Sequence, residues 1–369
     1  MPNGFSRVAL LAGVGTLDPV ASDVMDALEK IEIAAAIGER GSFRMSFRLD
    51  PGSTLPGRFL LPSGDLVRVV VMTDQADQLV AMDGVIVTHS VSAGGNDAGL
   101  VLGGEDLTLL MDLIDLGGRS FPGLNVEARV RVILAGYAPR GVTPLVVPPP
   151  VPDVADPSKR IFHQQGTDYA YLRSLARAAG YRFTLDPGPA PGASVAYWGP
   201  EPRGDRSHPS LVISFGGPGN VAALRLQFDA MGPVAPQALI LDPASKALIP
   251  IPAPNISALG PPLGAVVPPP RRLRRLHGTA KLEPAQAAGA LLAEAARSAE
   301  AMTGLGTLNV VPGQRRLRPG DVVEVRGAAD PYDGLFAVSR VRDTITAQDH
   351  RQEFELVRAG LGIAGGGTT

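Results

Sequence analysis

Hydrophobic and polar positions alternate with period two through much of this chain. The alternation is strictest at Ser42–Leu49, where Phe43, Met45, Phe47 and Leu49 interleave with Ser42, Arg44, Ser46 and Arg48. That spacing puts the apolar side chains on one face of a strand and leaves the other face wet. Ile31–Ile37, Leu66–Met72, Leu79–Val91 and Leu100–Leu102 carry the same signal, and Gly38 and Gly41 supply the turn between the first two strands. About five or six strands therefore precede the first helix, enough for a small barrel. Strand signals resume over Ser210–Leu241 and again over Asp321–Arg358.

The period changes to that of a helix in four places. Glu105–Leu113 reads as a short helix with acids in its first turn and Gly117-Gly118 beyond it, and Asn125–Leu134 reads as a second, ending before Gly136. Thr167 caps a third helix, with Asp168 in its first turn, Leu172, Leu175, Ala176 and Ala179 on one face, and Gly180 at C′. Strands at Tyr181–Leu185 and Ser194–Trp198 follow, so the middle of the chain forms a helix-plus-hairpin unit. Pro284 opens a fourth helix that runs to about Met302, with Leu291, Leu292, Ala295 and Ala299 on one stripe and Gly304 at its end. Pro144–Pro157 and Pro250–Pro270 are dense in proline and predict stiff, extended connections, and Gly360–Thr369 predicts a frayed tail.

The β pattern is also duplicated. Gly64-Asp65-Leu66-Val67-Arg68-Val69 is answered by Gly320-Asp321-Val322-Val323-Glu324-Val325, and Asp83-Gly84-Val85-Ile86 by Asp333-Gly334-Leu335-Phe336. In each copy a Gly-Asp or Asp-Gly turn opens an apolar, β-branched run, which predicts two similar β-units with register set by those turns. Valine at Gly84 or Gly334 is expected to disrupt folding by forbidding a positive φ. Three copies of such a chain would place six similar units around one axis, matching a threefold object to a sixfold one.

Composition narrows the function. The 369 residues include 44 glycines and 35 prolines, yet 45% are hydrophobic, which excludes a disordered chain and fits many short strands joined by turns. With 34 basic and 36 acidic residues the net charge is -2, so no overall field draws the chain to nucleic acid or to an anionic membrane. There is no cysteine, and hence no disulfide or thiolate site. The N-terminal residues lack the charged and apolar regions of a signal peptide, and no stretch is apolar over the roughly 20 residues of a spanning helix. Synthesis in the cytoplasm without classical export is the expectation.

No catalytic constellation stands out. His89, His163, His208, His277 and His350 are not at metal-ligand spacing, so no metal site or cofactor is predicted. The stretch Phe215-Gly216-Gly217-Pro218-Gly219-Asn220 lacks the order of a phosphate-binding loop and reads as a hairpin turn. No G-x-S-x-G elbow is present, and the acid pairs Asp112 with Asp115 and Glu353 with Glu355 have no visible reason for their pKa values to diverge. Arg271-Arg272-Leu273-Arg274-Arg275 is the one dense basic run; without nearby aromatics it reads as a solvated strand face or a protein interface rather than a specific nucleic-acid site.

Several segments resemble a known family. Gly166-Thr167-Asp168-Tyr169-Ala170-Tyr171-Leu172, then Gly180-Tyr181-Arg182-Phe183 and Trp198-Gly199-Pro200, are similar to the middle segment of the phage late control D or tail baseplate hub family, which also occurs in contractile injection systems. Leu317–Gly327, Tyr332–Val338 and Phe354–Arg358 are similar to its C-terminal region in order and spacing, and Gly41-Ser42-Phe43, Asp83–Ile86 and Gly104–Leu107 extend the likeness more weakly to the N-terminal part.

The resemblance implies a β-rich α+β chain with two tube-like β-barrel domains and a small α/β middle domain, assembling as a homotrimeric ring. The expected domains are residues 1–122, 123–205 and 206–369. Such a hub adapts a hexameric inner tail tube to a trimeric spike within the baseplate of a phage-tail-like particle, and it is not an enzyme. Asp83, Gly84, Asp168, Tyr171, Leu172, Gly180, Trp198, Gly320, Asp321, Asp333 and Gly334 are then folding positions rather than catalytic ones. No OB-like domain or repetitive β-helix follows the second unit, so a separate spike is expected, alongside the tube and other baseplate components. The competing reading is a stand-alone enzyme or small-ligand binding protein with a pocket formed by Tyr169, Tyr171, Tyr197 and Trp198.

Overall fold

A computed structural model describes residues 8–73, 80–92, 94, 98–150, 161–201, 208–213, 219–242, 245–252, 261–282, 284–311 and 315–363. The first part contains β1 (Val8–Gly13), β2 (Asp18–Pro19), α1 (Ser22–Ala27), β3 (Leu28–Ala36), β4 (Ser42–Arg48), α2 (Leu55–Phe59), β5 (Arg68–Thr73), β6 (Val80–Ser92) and β7 (Gly99–Asp106). β3 and β4 form a hairpin, β5, β6 and β7 a meander, and β7 returns to pair with β4. The alternation in β4 is realised as Phe43, Met45 and Phe47 buried beside Ile31, Ile33, Leu100 and Leu102.

The middle part contains β8 (Ser120–Phe121), α3 (Val126–Ala135), β9 (Val142–Val146), β10 (Phe162–His163), α4 (Asp168–Ala179), β11 (Arg182–Pro187) and β12 (Ser194–Gly199). β12 lies between β11 and β9, antiparallel to the first and parallel to the second. A separate core gathers around Trp198, Leu172 and Val130.

The last part contains β13 (Leu211–Val212), β14 (Ala223–Phe228), β15 (Val234–Leu241), β16 (Leu248–Ile251), β17 (Gly264–Val266), β18 (Arg272–Arg275), α5 (Pro284–Ala299), β19 (Met302–Asn309), β20 (Val322–Arg326), β21 (Gly334–Thr346), β22 (His350–Arg358) and β23 (Leu361–Ile363). Its strand order β14-β19-β22-β21-β20 reproduces the order β3-β4-β7-β6-β5 of the first part. The repeat also keeps register: Val69 faces Gly84 as Val325 faces Gly334, and Arg68 faces Val85 as Glu324 faces Leu335. β6 and β21 are both 13 residues long and both bulge midway. The chief difference is the link between the first two strands. A short turn joins β3 to β4, whereas residues 229–301 join β14 to β19 and hold the sheet β16-β15-β18 with α5 packed on it.

Among the described residues the strand pairings do not close the two units into two separate barrels. The outer half of β21, Arg340–Thr346, pairs antiparallel with β3, so both units share one 13-stranded sheet, with β14 at one end of its path. Four element boundaries also differ from the sequence reading. Glu105 and Asp106 continue β7, paired to Ser42 and Gly84, and only a 3₁₀ turn, Leu107–Met111, follows. The cause is local: the Asp106 carboxylate accepts from Thr108 N–H and caps a turn that begins two residues later than expected. Pro144 sits inside β9 rather than in a connector, as an edge strand permits. Met302 and Gly304 belong to β19, and Leu361–Ile363 are held by β17 instead of fraying. Residues 151–160, 214–218 and 253–260, on which other proline and glycine readings fall, lie outside the described residues.

Candidate functional site

The predicted motif residues fall into two groups, one at the seams around the repeated units and one inside the middle core. Asp83 lies within β6, not at its opening turn, and is 2% exposed. Its carboxylate accepts from Arg68 Nε at 2.7 Å and Nη2 at 2.6 Å, and from Ser194 Oγ of β12 at 3.2 Å. Arg68 also donates to the carbonyls of Arg140 and Gly192, so this ion pair fastens the first unit to the middle part. Gly84 does not have a positive φ; a Cβ there would stand 2.3 Å from the Glu105 carbonyl oxygen and 2.9 Å from Phe43. Close approach of β7, rather than backbone handedness, is what requires glycine.

The second copy uses its matching residues differently. The Asp333 carboxylate accepts from the N–H groups of Gly327 and Ala328 and closes the β20–β21 turn, and Gly334 has a φ of 127°, open only to glycine. Gly320 turns the chain ahead of β20, and Asp321 accepts from the Arg318 N–H and lies 2.7 Å from His208 Nε2. Arg358, 1% exposed, donates to the carbonyls of Asp333, Pro331 and Gly360 and covers the Phe336 ring. Loss of hydration lowers its pKa from the ordinary guanidinium value.

In the middle part, Thr167 Oγ accepts from Ala170 N–H at the start of α4, and Gly180 ends the helix in the left-handed region. Asp168 is buried and accepts from Tyr137 Oη and Gln164 Nε2, both at 2.8 Å. Arg129 donates to Tyr171 Oη, whose ring stacks on Phe121, and Trp198 Nε1 donates to the Leu172 carbonyl. Tyr169, Tyr171 and Trp198 are buried in this core, and Tyr197 Oη is bound to the Pro200 carbonyl. Tyr171 stacks on Phe121, Tyr169 tilts against Phe183 and Trp198 meets Tyr181 edge-on, so among the described residues these three rings serve as core packing rather than as the walls of a shared aromatic pocket.

The acid pairs are also accounted for by neighbours. Asp112 accepts from Thr167 Oγ and from Arg40, and those two contacts, the threonine foremost, hold its pKa below the usual carboxylate range despite some desolvation. Glu353 and Glu355 stand on the wet face of β22, where Glu355 lies 3.5 Å from Arg340. No group of three metal-ligating side chains occurs among the described residues, and no described helix is long and apolar enough to cross a membrane.

Two features were not read from the sequence. One is a buried network in which Asp343, 1% exposed, receives Arg316, His350 and Gln352. The other is a cavity of about 230 Å³ between the two β-units and β11, reached by Arg316 and Arg318. The alternation Arg316-Leu317-Arg318 was the only sequence signal for either, and alternation alone does not distinguish a wet face from a lined cavity.

No protein-family model and no curated protein sequence matches the chain. Solved structures do share its fold. A tail protein from Neisseria meningitidis aligns over 95% of this chain and 96% of its own at 16% identity, with a TM-score of 0.59. The 43 kDa tail protein of prophage MuSo2 from Shewanella oneidensis aligns over 96% and 98% at 16% identity, with a TM-score of 0.61. The Escherichia coli c3393 protein, a component of the type VI secretion system with structural similarity to the T4 bacteriophage tail proteins gp27 and gp5, aligns over 90% and 73% at 12% identity, with a TM-score of 0.54. The fold is thus shared with phage tail proteins and a type VI secretion component, and its β-rich character is the part of the implied architecture that these neighbours bear out.

Proposed function

We propose that this chain is a structural baseplate hub of a contractile tail or injection system, a homotrimeric adaptor between a hexameric inner tube and a trimeric spike. Two β-unit domains and a small middle domain would carry out that role without catalysis. The tail-protein fold supports the setting, and the duplicated strand order supports the adaptor role.

The observation that carries this reading is a pair of matching positions. Val341 on β21 is 0% exposed in a stretch that pairs with β3, whereas Val91, its counterpart on β6, is 55% exposed in a stretch where, among the described residues, no strand pairs with the corresponding edge. β3 is the first strand of its unit, and β14, the first strand of the other, ends the sheet's path among the described residues. If the seam within the chain is repeated between chains, the outer half of β6 meets β14 of the next copy. Three copies then close a pseudo-sixfold ring, in which these two edges are no longer open to aggregation.

Sedimentation of the purified chain should give three times the chain mass. Val91→Asp should leave the fold intact by circular dichroism but yield monomers, since a charge at a covered edge is left without solvent or partner. A wild-type chain that stays monomeric at every concentration, with or without its spike and tube partners, would contradict the ring.

A further inference from the structure

The cavity between the units is unusual in what its walls leave unpaired. Most of its charged groups are committed elsewhere: Asp83 to Arg68, Asp106 to Gly41 and Thr108, Asp321 to the Arg318 N–H and His208, and Glu39 to Arg340. Arg316 is paired with Asp343 and donates to the carbonyls of Val80 and Ala81, yet its Nε–H, buried at 4% residue exposure, has no partner.

Among the described residues, Thr184, 6% exposed, has no partner for its hydroxyl, and Arg318 has none for Nε and donates from Nη2 to the Val80 carbonyl at 3.4 Å. The Asp186 carboxylate has no hydrogen bond among the described residues, and the surface it exposes lines the cavity. Thr184 and Asp186 are two residues apart on β11 and so share a face, and Arg316 and Arg318 are likewise two apart on the opposite wall.

The cavity therefore presents Arg316 and Arg318 on one side, each with an idle Nε–H, and on the other the Asp186 carboxylate, which feels the Arg318 charge through space without a hydrogen bond to it. Ile37, Met82 and Leu185 supply apolar wall between them. Its volume is far beyond what a single ordered water requires. The idle donors of Thr184, Arg316 and Arg318 are costly to bury, and a single guest whose acidic end reaches them and whose basic end reaches the exposed Asp186 carboxylate would engage both walls.

We propose that this cavity is a binding site for a small zwitterion of the amino-acid class, with the guest's carboxylate on Arg318 and the Thr184 hydroxyl, its ammonium on Asp186 and its hydrocarbon against Ile37, Met82 and Leu185. The charge state of both walls fits. Lost hydration pushes Asp186 up to about 6 and Arg318 down to about 10, each shift partly offset by the other group's charge, so at neutral pH both remain charged.

Titration calorimetry and thermal melts of the full chain at pH 7.5 test this with leucine as probe, and with acetate and methylammonium as its two separated ends. Leucine should release heat and raise the melting temperature, and acetate plus methylammonium at the same concentration should not. Asp186→Asn and Arg318→Gln should each weaken leucine binding about tenfold or more. Thr184→Val, which keeps the shape, should weaken it less and serves as the check if either charge variant fails to fold. The absence of heat with leucine, glycine and glutamate would overturn the proposal in favour of ordered water, and a full effect from acetate alone would overturn it in favour of a simple anion site.

Discussion

Gly84 and Gly334 occupy matching places in the repeat and are required for different reasons. At Gly84 a side chain would collide with the carbonyl of Glu105, part of the neighbouring strand, which cannot swing aside as a side chain can. Alanine there should already cost about 3 kcal/mol, the scale of overpacking in a closed core, and valine more. At Gly334 the space is restricted by Arg358, but the φ of 127° is the main obstacle, and alanine should cost about 1–3 kcal/mol. Urea denaturation of Gly84→Ala and Gly334→Ala would show it, and a Gly84→Ala midpoint equal to that of the wild type would refute the close-approach account. The sequence reading assigned a positive φ to both glycines, which holds at Gly334 and fails at Gly84, because a strand's neighbour is set by chain far away. The same limit hid Asp343: an aspartate within an alternating run looks solvated until Arg316, 27 residues earlier, is seen to reach it.

At the scale of elements, α4 was legible because both its ends are written locally. Thr167 supplies the cap, Gly180 the left-handed exit, and the apolar stripe lies between them. β9 and the end of β7 were not legible, since Pro144 and the acids Glu105 and Asp106 are exceptions that pairing overrides. The Thr167 hydroxyl does a second task, donating to Asp112, so the start of α4 is tied to the segment that leaves the first unit. Thr167→Ala should therefore cost more than a simple cap, roughly 1–2 kcal/mol. Because Thr167 helps hold the Asp112 pKa below its ordinary value, the carboxylate's share of stability is present above that ordinary pKa and is lost as pH falls through the depressed one. The cost of Thr167→Ala should accordingly be full at pH 7 and shrink below about pH 4. A cost that is equal at pH 7 and pH 3 would indicate that the hydroxyl acts only as a cap.

For the whole molecule, the duplication was visible in the sequence, whereas the joining of both copies into one sheet was not. Arg340 pairing with Ala36 has no local signature, and an alternating strand declares which face is buried without naming its neighbour. That joining encloses the space where Asp106 and Asp186 end up, and it gives the chain an uncommon response to pH. Burial pushes both carboxyls up to about 6, against an ordinary value of 3.8, although Asp106 accepts hydrogen bonds from Thr108 and Gly41. Between about pH 4 and 6 the folded chain then holds more protons than the unfolded chain, so these two groups make stability fall as pH rises through that window. Asp112 and Glu324, whose pKa values are lowered, act in the opposite sense and lose their contribution only in more acidic solution. Stability should accordingly peak in mildly acidic solution rather than at neutrality. Asp106, 5% exposed, accounts for up to about 3 kcal/mol of the decline, and Asp186, in contact with cavity solvent, for about 1 kcal/mol. Asp186→Asn should raise the melting temperature at pH 7.5, leave it nearly unchanged at pH 4.5 and so flatten the profile; thermal melts of both proteins across that range measure it. Equal melting temperatures for variant and wild type at pH 7.5 would mean that the Asp186 charge is already compensated, and that the cavity has no need of a guest.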